Sequence, residues 1–296
     1  MTGSRLWTAL VVAALATSST GCLSSAQLAA VRQFSAATTA VGDLATSEFV
    51  VLRNETISMN EARLTLPGID PGEPDQTNLD ESFDPEDVEA RVRAAGVLKA
   101  YGELLLALAT ESQTEEIKKA SDSLLANLSA LPSADQKLDK EQQEALGTIV
   151  TSIGGLIVEF KRSKAIRTIV ADTTPQIVHL CDLLARDFDP DGDHLATGFL
   201  ATTETLKERA FEALEAAQAR DDKVASLAAY RAAQAGRDKR AMVLARASQS
   251  LRQLRKAQDQ LKTAMDSRKP SVSDIKEFVA TAKALHSAVQ VLAKGK

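Results

Sequence analysis

Carboxylates occupy every second position from Asp187 to Asp193, in the run Asp187-Phe188-Asp189-Pro190-Asp191-Gly192-Asp193. The run fits D-x-D-x-D-G, the front half of a calcium loop. Closely spaced carboxylates can surround a hard cation, and the glycine permits the sharp turn that brings them together. The back half departs from the pattern: Gly198 stands where a bidentate Glu is needed, and His194 where an apolar residue belongs. The pattern therefore predicts a weak Ca2+ site on Asp187, Asp189, Asp191 and Asp193. The competing reading is an acidic interhelical turn, with Asp191 or Asp193 capping the following helix.

The remaining reactive residues are dispersed. His179 and Cys181 are two positions apart, which points them to different faces of a helix and makes poor ligand geometry. His194, beside Asp193, could join the metal loop, though a histidine so placed is more often simply solvated; His286 stands alone, and no H-E-x-x-H, G-x-S-x-G or glycine-rich phosphate loop occurs. Leu146–Phe160 is the most apolar stretch beyond the N-terminus and is followed by the basic patch Lys161-Arg162-Ser163-Lys164. It reads either as a buried bundle helix or as a short membrane-active arm with a flexible point at Gly154-Gly155. Fifteen residues fall below the ~20 that span a bilayer. Charge is segregated: Arg231–Lys269 holds eleven bases and three acids, whereas Pro67–Ala90 holds nine acids and no base. The basic stripe suits anionic lipid, an anionic polymer, an acidic partner or the acidic segment of the same chain. Nucleic acid is not expected, since no aromatics interleave the bases.

At the N-terminus, a weakly basic start is followed by the apolar run Leu6–Ala16 and then by Thr17-Ser18-Ser19-Thr20-Gly21-Cys22. Eleven helical residues cover only about 16 Å, the length of a signal-peptide core and not of a bilayer crossing. Ser19-Thr20-Gly21-Cys22 resembles the lipobox of bacterial lipoprotein signal peptides, although Ser19 takes a position usually held by leucine. The resemblance implies removal of residues 1–21, thioether diacylation of Cys22, acylation of its new amino group, and anchoring on the extracytoplasmic side of a membrane. With Leu23 after the cysteine, it favours the outer membrane in a Gram-negative host. Two readings stand beside it: ordinary cleavage after Ala14-Leu15-Ala16, and a retained N-terminal anchor. If Cys22 carries lipid, Cys181 is a lone thiol buried as a small hydrophobe. If Cys22 is free in an oxidising compartment, a Cys22–Cys181 disulfide becomes possible.

These features need elements to carry them, and composition says which. The 296 residues are 44% apolar, 25% charged and 4% aromatic, with 14 Gly and 8 Pro. That is too apolar for a disordered chain and too poor in aromatic and β-branched residues for an ordinary sandwich or barrel. The expectation is an all-α protein, an elongated antiparallel helical bundle with a long coiled-coil-like segment. The prolines at 67, 71, 74, 85, 132, 175, 190 and 270 outline its helices, because interior proline costs a helix about 3 kcal/mol. Residues 22–66 form a helix whose early, small and polar part could be a tether. Residues 67–84 form an acidic linker, and 85–296 the bundle.

Within that bundle, Asp84 and Pro85 open a helix as N-cap and N1. Ser112-x-x-Glu115 reads as a capping box, a further helix begins at Asp139, and Thr174-Pro175 reads as another start. Residues 195–269 are proline-free, with plausible breaks at Arg220–Lys223, Gly236 and Arg237–Arg240. Leu244, Ala247, Leu251, Leu254, Gln258, Leu261 and Met265 keep alternating 3-4 spacing, a coiled-coil seam with Gln258 as its polar defect. A last helix covers 272–294. No catalytic constellation emerges, so the sequence points to a non-catalytic, lipid-anchored envelope protein, a helical scaffold or binding partner that meets the membrane through Cys22. A pore-forming-like protein using residues 146–160 and an envelope inhibitor or immunity-type module remain as alternatives. The lone Trp7 falls in the segment to be removed, which weakens the case for aromatic-lined ligand pockets.

Overall fold

The computed structural model describes residues 23–68, 78–80, 83–110, 114–129, 162–267 and 271–294. The signal segment and Cys22, most of the acidic linker, Ser112, the helix expected from Asp139 and the Leu146–Phe160 run lie outside them. Among the described residues there are seven helices and no strand. They are α1 (Ser25–Leu64), α2 (Pro85–Ala109), α3 (Thr114–Ser129), α4 (Arg162–Asp187), α5 (Leu195–Ala216), α6 (Arg220–Asp266) and α7 (Ser273–Lys294). None of these is long and apolar enough to cross a membrane. The protein is an all-α helical bundle.

Helix α6 is the hub. It packs on α1, α4, α5 and α7, while α1 and α2 share the most extensive interface and α3 leans on α2. At 47 residues, α6 is about 70 Å long. Every predicted seam residue is buried, Gln258 included. Six of the eight phenylalanines are also buried, and the aromatic contacts are specific. Phe34 meets Tyr101 edge-on at 6.5 Å and Phe278 at 5.9 Å, and Phe49 stacks on Phe188 at 4.5 Å. Each such ring contributes about 1.5–3 kcal/mol by leaving water, so the few aromatics are spent on the core.

Small residues set how closely the helices approach. A Cβ on Gly42 would lie 2.5 Å from the Lys99 nitrogen and 2.9 Å from the Ala95 oxygen. One on Gly102 would lie 2.7 Å from the Thr39 nitrogen. The two glycines thus let the backbones of α1 and α2 touch. This corrects the tether reading of residues 34–39: Phe34, Ser35, Ala37 and Thr38 are buried, with the Ser35 and Thr38 hydroxyls bonded back to Val31 and Phe34 oxygens. Their small, polar look comes from close packing, which leaves no room for larger side chains.

Two helix boundaries differ from expectation. Pro175 sits inside α4 and does not start a helix. The hydroxyls of Thr173 and Thr174 donate to the oxygens of Ile169 and Val170, at 2.7 and 2.6 Å, tying down the turn that proline disturbs. Of the three breaks expected in 195–269, Gly236 and Arg237–Arg240 stay within α6, and the chain breaks at residues 217–219, directly before Arg220–Lys223, where Ala217 and Ala219 adopt extended backbone. That turn contains neither glycine nor proline. By contrast, α2 starts as its sequence implies: Asp84 accepts from the Glu86 N–H at 2.9 Å, with Pro85 at the first position.

Below about residue 243 of α6 the packing partners thin out. A second, small apolar cluster of Leu66, Leu206, Ala210, Ala213 and Ala233 joins α5, the start of α6 and the chain just past α1. Beyond it α5 and α6 continue as a two-helix arm, where Phe211 and Val224 are exposed at 47% and 60%.

Candidate functional site

The four carboxylates of the predicted cation loop do not converge. Asp187 is buried, and its Oδ2 accepts from Arg91 Nε at 2.9 Å. Burial pushes its carboxyl above the usual range, while the Arg91 charge and hydrogen bond pull the other way. Asp189 pairs with Arg252 and also accepts from the Asp191 N–H at 3.1 Å. Asp191 and Asp193 face solvent, Asp193 lying 3.2 Å from His194 Nε2. Phe188, at the second position, is buried against Phe49. Among the described residues no three His, Cys, Asp or Glu side chains are placed to hold a metal ion. Nor does Asp191 or Asp193 cap the next helix. The N-cap of α5 is His194, without a side-chain hydrogen bond, and Thr197 Oγ1 donates to the Gly192 oxygen at 2.6 Å. The loop is a clasp: two of its acids bind arginines on α2 and α6, and its aromatic ring plugs the core.

The basic stripe pairs within the chain, with partners the sequence reading did not name. Arg240 of α6 is almost wholly buried. Its Nη1 donates to Glu48 at 2.7 Å, while Nη2 and Nε donate to the two oxygens of Glu55 at 2.5 and 3.0 Å. Arg237 pairs with Glu204 at 2.7 Å, Arg255 with Asp182 at 3.4 Å, and Arg246 donates to the Ala284 oxygen at 3.0 Å. The acidic segment, in turn, uses Asp80 to bind Arg53 at 2.6 Å, so it meets α1. Glu48 and Glu55 lie seven residues apart, two helical turns on one face of α1. That spacing is visible in the sequence, but Arg240 is almost two hundred positions away.

Behind the stripe, the polar defect of the seam is fully satisfied. Gln258 Nε2 donates to Tyr101 Oη at 3.0 Å and to Thr174 Oγ1 at 2.9 Å, and Tyr101 Oη donates to Gln258 Oε1 at 3.2 Å. All three are buried, and burial pushes the Tyr101 hydroxyl up to about 12, so it stays protonated as a donor.

No family model, curated protein or solved structure matches the chain. Function has to be read from the chain's own geometry.

The N-terminal end of α1 is held unusually firmly. Ser24 and Gln27 form a reciprocal capping box, with Ser24 N–H donating to Gln27 Oε1 at 2.8 Å and Gln27 N–H to Ser24 Oγ at 3.2 Å. The Gln27 amide nitrogen then reaches the oxygens of Ala264, Met265 and Ser267, at 2.8, 3.2 and 3.0 Å. These are carbonyls at the C-terminal end of α6, where the helix's own hydrogen-bond ladder runs out and Ala264 alone also accepts from the Ser267 N–H, at 3.4 Å. Leu23 is buried, and its N–H donates to Ser163 Oγ at 3.2 Å. Ser24-x-x-Gln27 has the spacing of a capping box, but nothing in the sequence signals that Gln27 also binds α6, because those partners lie at the far end of the chain.

Of the two cysteines, Cys181 is among the described residues: it is buried and unpaired, and burial pushes its thiol up. The Cys22–Cys181 disulfide considered above involves a residue outside those described.

Proposed function

We propose that the chain is a non-catalytic, lipid-anchored protein of the cell envelope, held on the extracytoplasmic side through acylated Cys22 and serving as a helical scaffold or binding partner. The observation that carries this reading is the position of Leu23 and Ser24. The first described helix opens with a closed capping box two residues after the cysteine of the Ser19-Thr20-Gly21-Cys22 motif, which puts a firmly held helix start directly beside the residue to be acylated. Three acyl chains on one residue anchor a protein stably, where a single chain is marginal. In a Gram-negative host, Leu23 favours the outer membrane. The working part of the molecule is then its helical surface, with the α5–α6 arm as its most exposed portion.

The test is the intact mass of the protein extracted by detergent from the membrane fraction, before and after Cys22→Ser. The expected result is a mass beginning at residue 22 with acyl chains added, and loss of membrane retention in the variant. A mass that includes residues 17–21, or lacks acyl chains, overturns the reading.

A further inference from the structure

The hydrogen bonds at the start of α1 fix more than a helix cap. Leu23 bonds to Ser163 in the first turn of α4, and Gln27 binds three carbonyls at the end of α6. At the same end, Arg32 Nε donates to the oxygen of Ala109, the last residue of α2, at 2.8 Å. Gln260 Oε1 accepts from the Asp274 and Ile275 N–H groups at the start of α7, at 2.9 and 3.2 Å. One end of the bundle therefore gathers the beginnings of α1, α4 and α7 and the ends of α2 and α6. The α5–α6 turn at 217–219 lies at the other extreme of α6.

We infer that this gathered end is the face that rests on phospholipid headgroups, and that the α5–α6 arm is displayed away from the membrane. The inference rests on the anchoring proposed above and adds an orientation to it. Its physical core is the lack of slack. A flexible tether of 20 residues would let an anchored body wander by about 25 Å, whereas the residue after the acylated one already has its backbone N–H bonded to Ser163 of the bundle. The exposed charges at this end are mixed, Lys118, Lys119, Lys256 and Lys262 standing beside Glu115, Glu116, Asp259 and Asp266, so the orientation rests on the short connection and not on a basic patch. Lys262 and Lys223 sit 39 residues apart on one continuous helix, about 60 Å. If the gathered end is at the bilayer, the arm is far beyond the headgroups.

The experiment places one fluorophore, through a genetically encoded azide, at either Lys262 or Lys223. The labelled protein is bound to vesicles of phosphatidylethanolamine and phosphatidylglycerol carrying a quencher on the headgroup. Two forms are compared: the protein as extracted from its membrane, and the chain from Cys22 onward coupled at Cys22 to a thiol-reactive synthetic lipid. Several-fold stronger quenching at 262 than at 223 is expected in both. Inserting 20 Gly and Ser residues between Cys22 and Leu23 is expected to abolish most of the quenching at 262 while leaving the helical circular dichroism unchanged. Equal quenching at both sites, stronger quenching at 223, no quenching at either, or indifference to the insertion overturns the orientation. The synthetic lipid separates the two claims: if the natural protein carries no acyl chains, the anchoring proposal falls, while the coupled form still decides which end a lipid on Cys22 presents to the membrane.

Discussion

Arg240 and Glu55 meet as a fork on a carboxylate, two hydrogen bonds of 2.5 and 3.0 Å joining α6 to α1 close to where the arm leaves the bundle. The third arginine nitrogen reaches Glu48, one of the most buried acids in the protein. A planar, permanently charged group suits this site, since a single ammonium cannot serve two carboxylates two turns apart.

Arg240→Ala takes the arginine counter-charge from a buried carboxylate, and breaking such a pair costs about 3–5 kcal/mol. Arg240→Lys is expected to recover less than half of that. Urea unfolding monitored by circular dichroism measures both. A cost of Arg240→Ala below about 1 kcal/mol, the range of exposed pairs, contradicts the assignment.

The layer of Tyr101, Gln258 and Thr174 predicts coupling. Tyr101→Phe removes one partner of Gln258 and costs about 1–2 kcal/mol, and Gln258→Leu takes Gln258 from a Tyr101 hydroxyl that keeps its hydrogen bond to Thr173, at a similar cost. Combined, they remove both ends of the Tyr101–Gln258 bond, so the double variant is expected to cost less than the sum by at least about 0.5 kcal/mol. Strict additivity in a double-mutant cycle would show that the contact contributes nothing.

Two glycine substitutions should move stability in opposite directions. Gly42→Ala drives a methyl into the α2 backbone, and an overpacking cost of about 1–3 kcal/mol outweighs the helix propensity gained. At Gly236 a Cβ meets nothing within 4 Å, so alanine is expected to stabilise by about 0.5–1 kcal/mol. Thermal unfolding of the pair reads the sign directly.

Asp187 sets a pH dependence. Its native carboxyl titrates above its unfolded value, chiefly through burial, so the native state holds that proton more tightly. The resulting stability is full below the unfolded value of about 3.9 and is lost as pH rises through the native one. Wild type should therefore lose stability relative to Asp187→Asn as pH climbs through that window. Parallel urea titrations at several pH values give the difference, and a gap that does not change with pH refutes it.

Much of this architecture was legible in the sequence, for local reasons. The Asp84-Pro85 start and the Leu244–Met265 seam depend on residues within a few turns of one another, and both stand in the structure. What escaped was non-local or mimicked something else. Pro175 reads as punctuation because interior proline is costly; that α4 runs through it is decided by packing against α2 and α6, which lie far away in the chain. The turn at 217–219 is written in alanine and glutamine, good helix formers, so the charged run Arg220–Lys223 marks its place but not its residues, and the packing of α5 back along α6 decides among the three candidate breaks. The D-x-D-x-D-G pattern carried the right residue types for a cation. Arg91 and Arg252, 96 and 63 positions away, claim two of its carboxylates. Gln27 illustrates the same limit at the anchor end.

Because α6 runs unbroken from the arm's turn to the carbonyls that Gln27 binds, and opposite in direction to α1, α4 and α7, its contacts lie parallel to any pull on the arm along its axis. A partner tugging at residues 217–219 would have to slide the whole seam at once in shear. A shorter helix ending at Gly236 would have let the arm peel away one turn at a time.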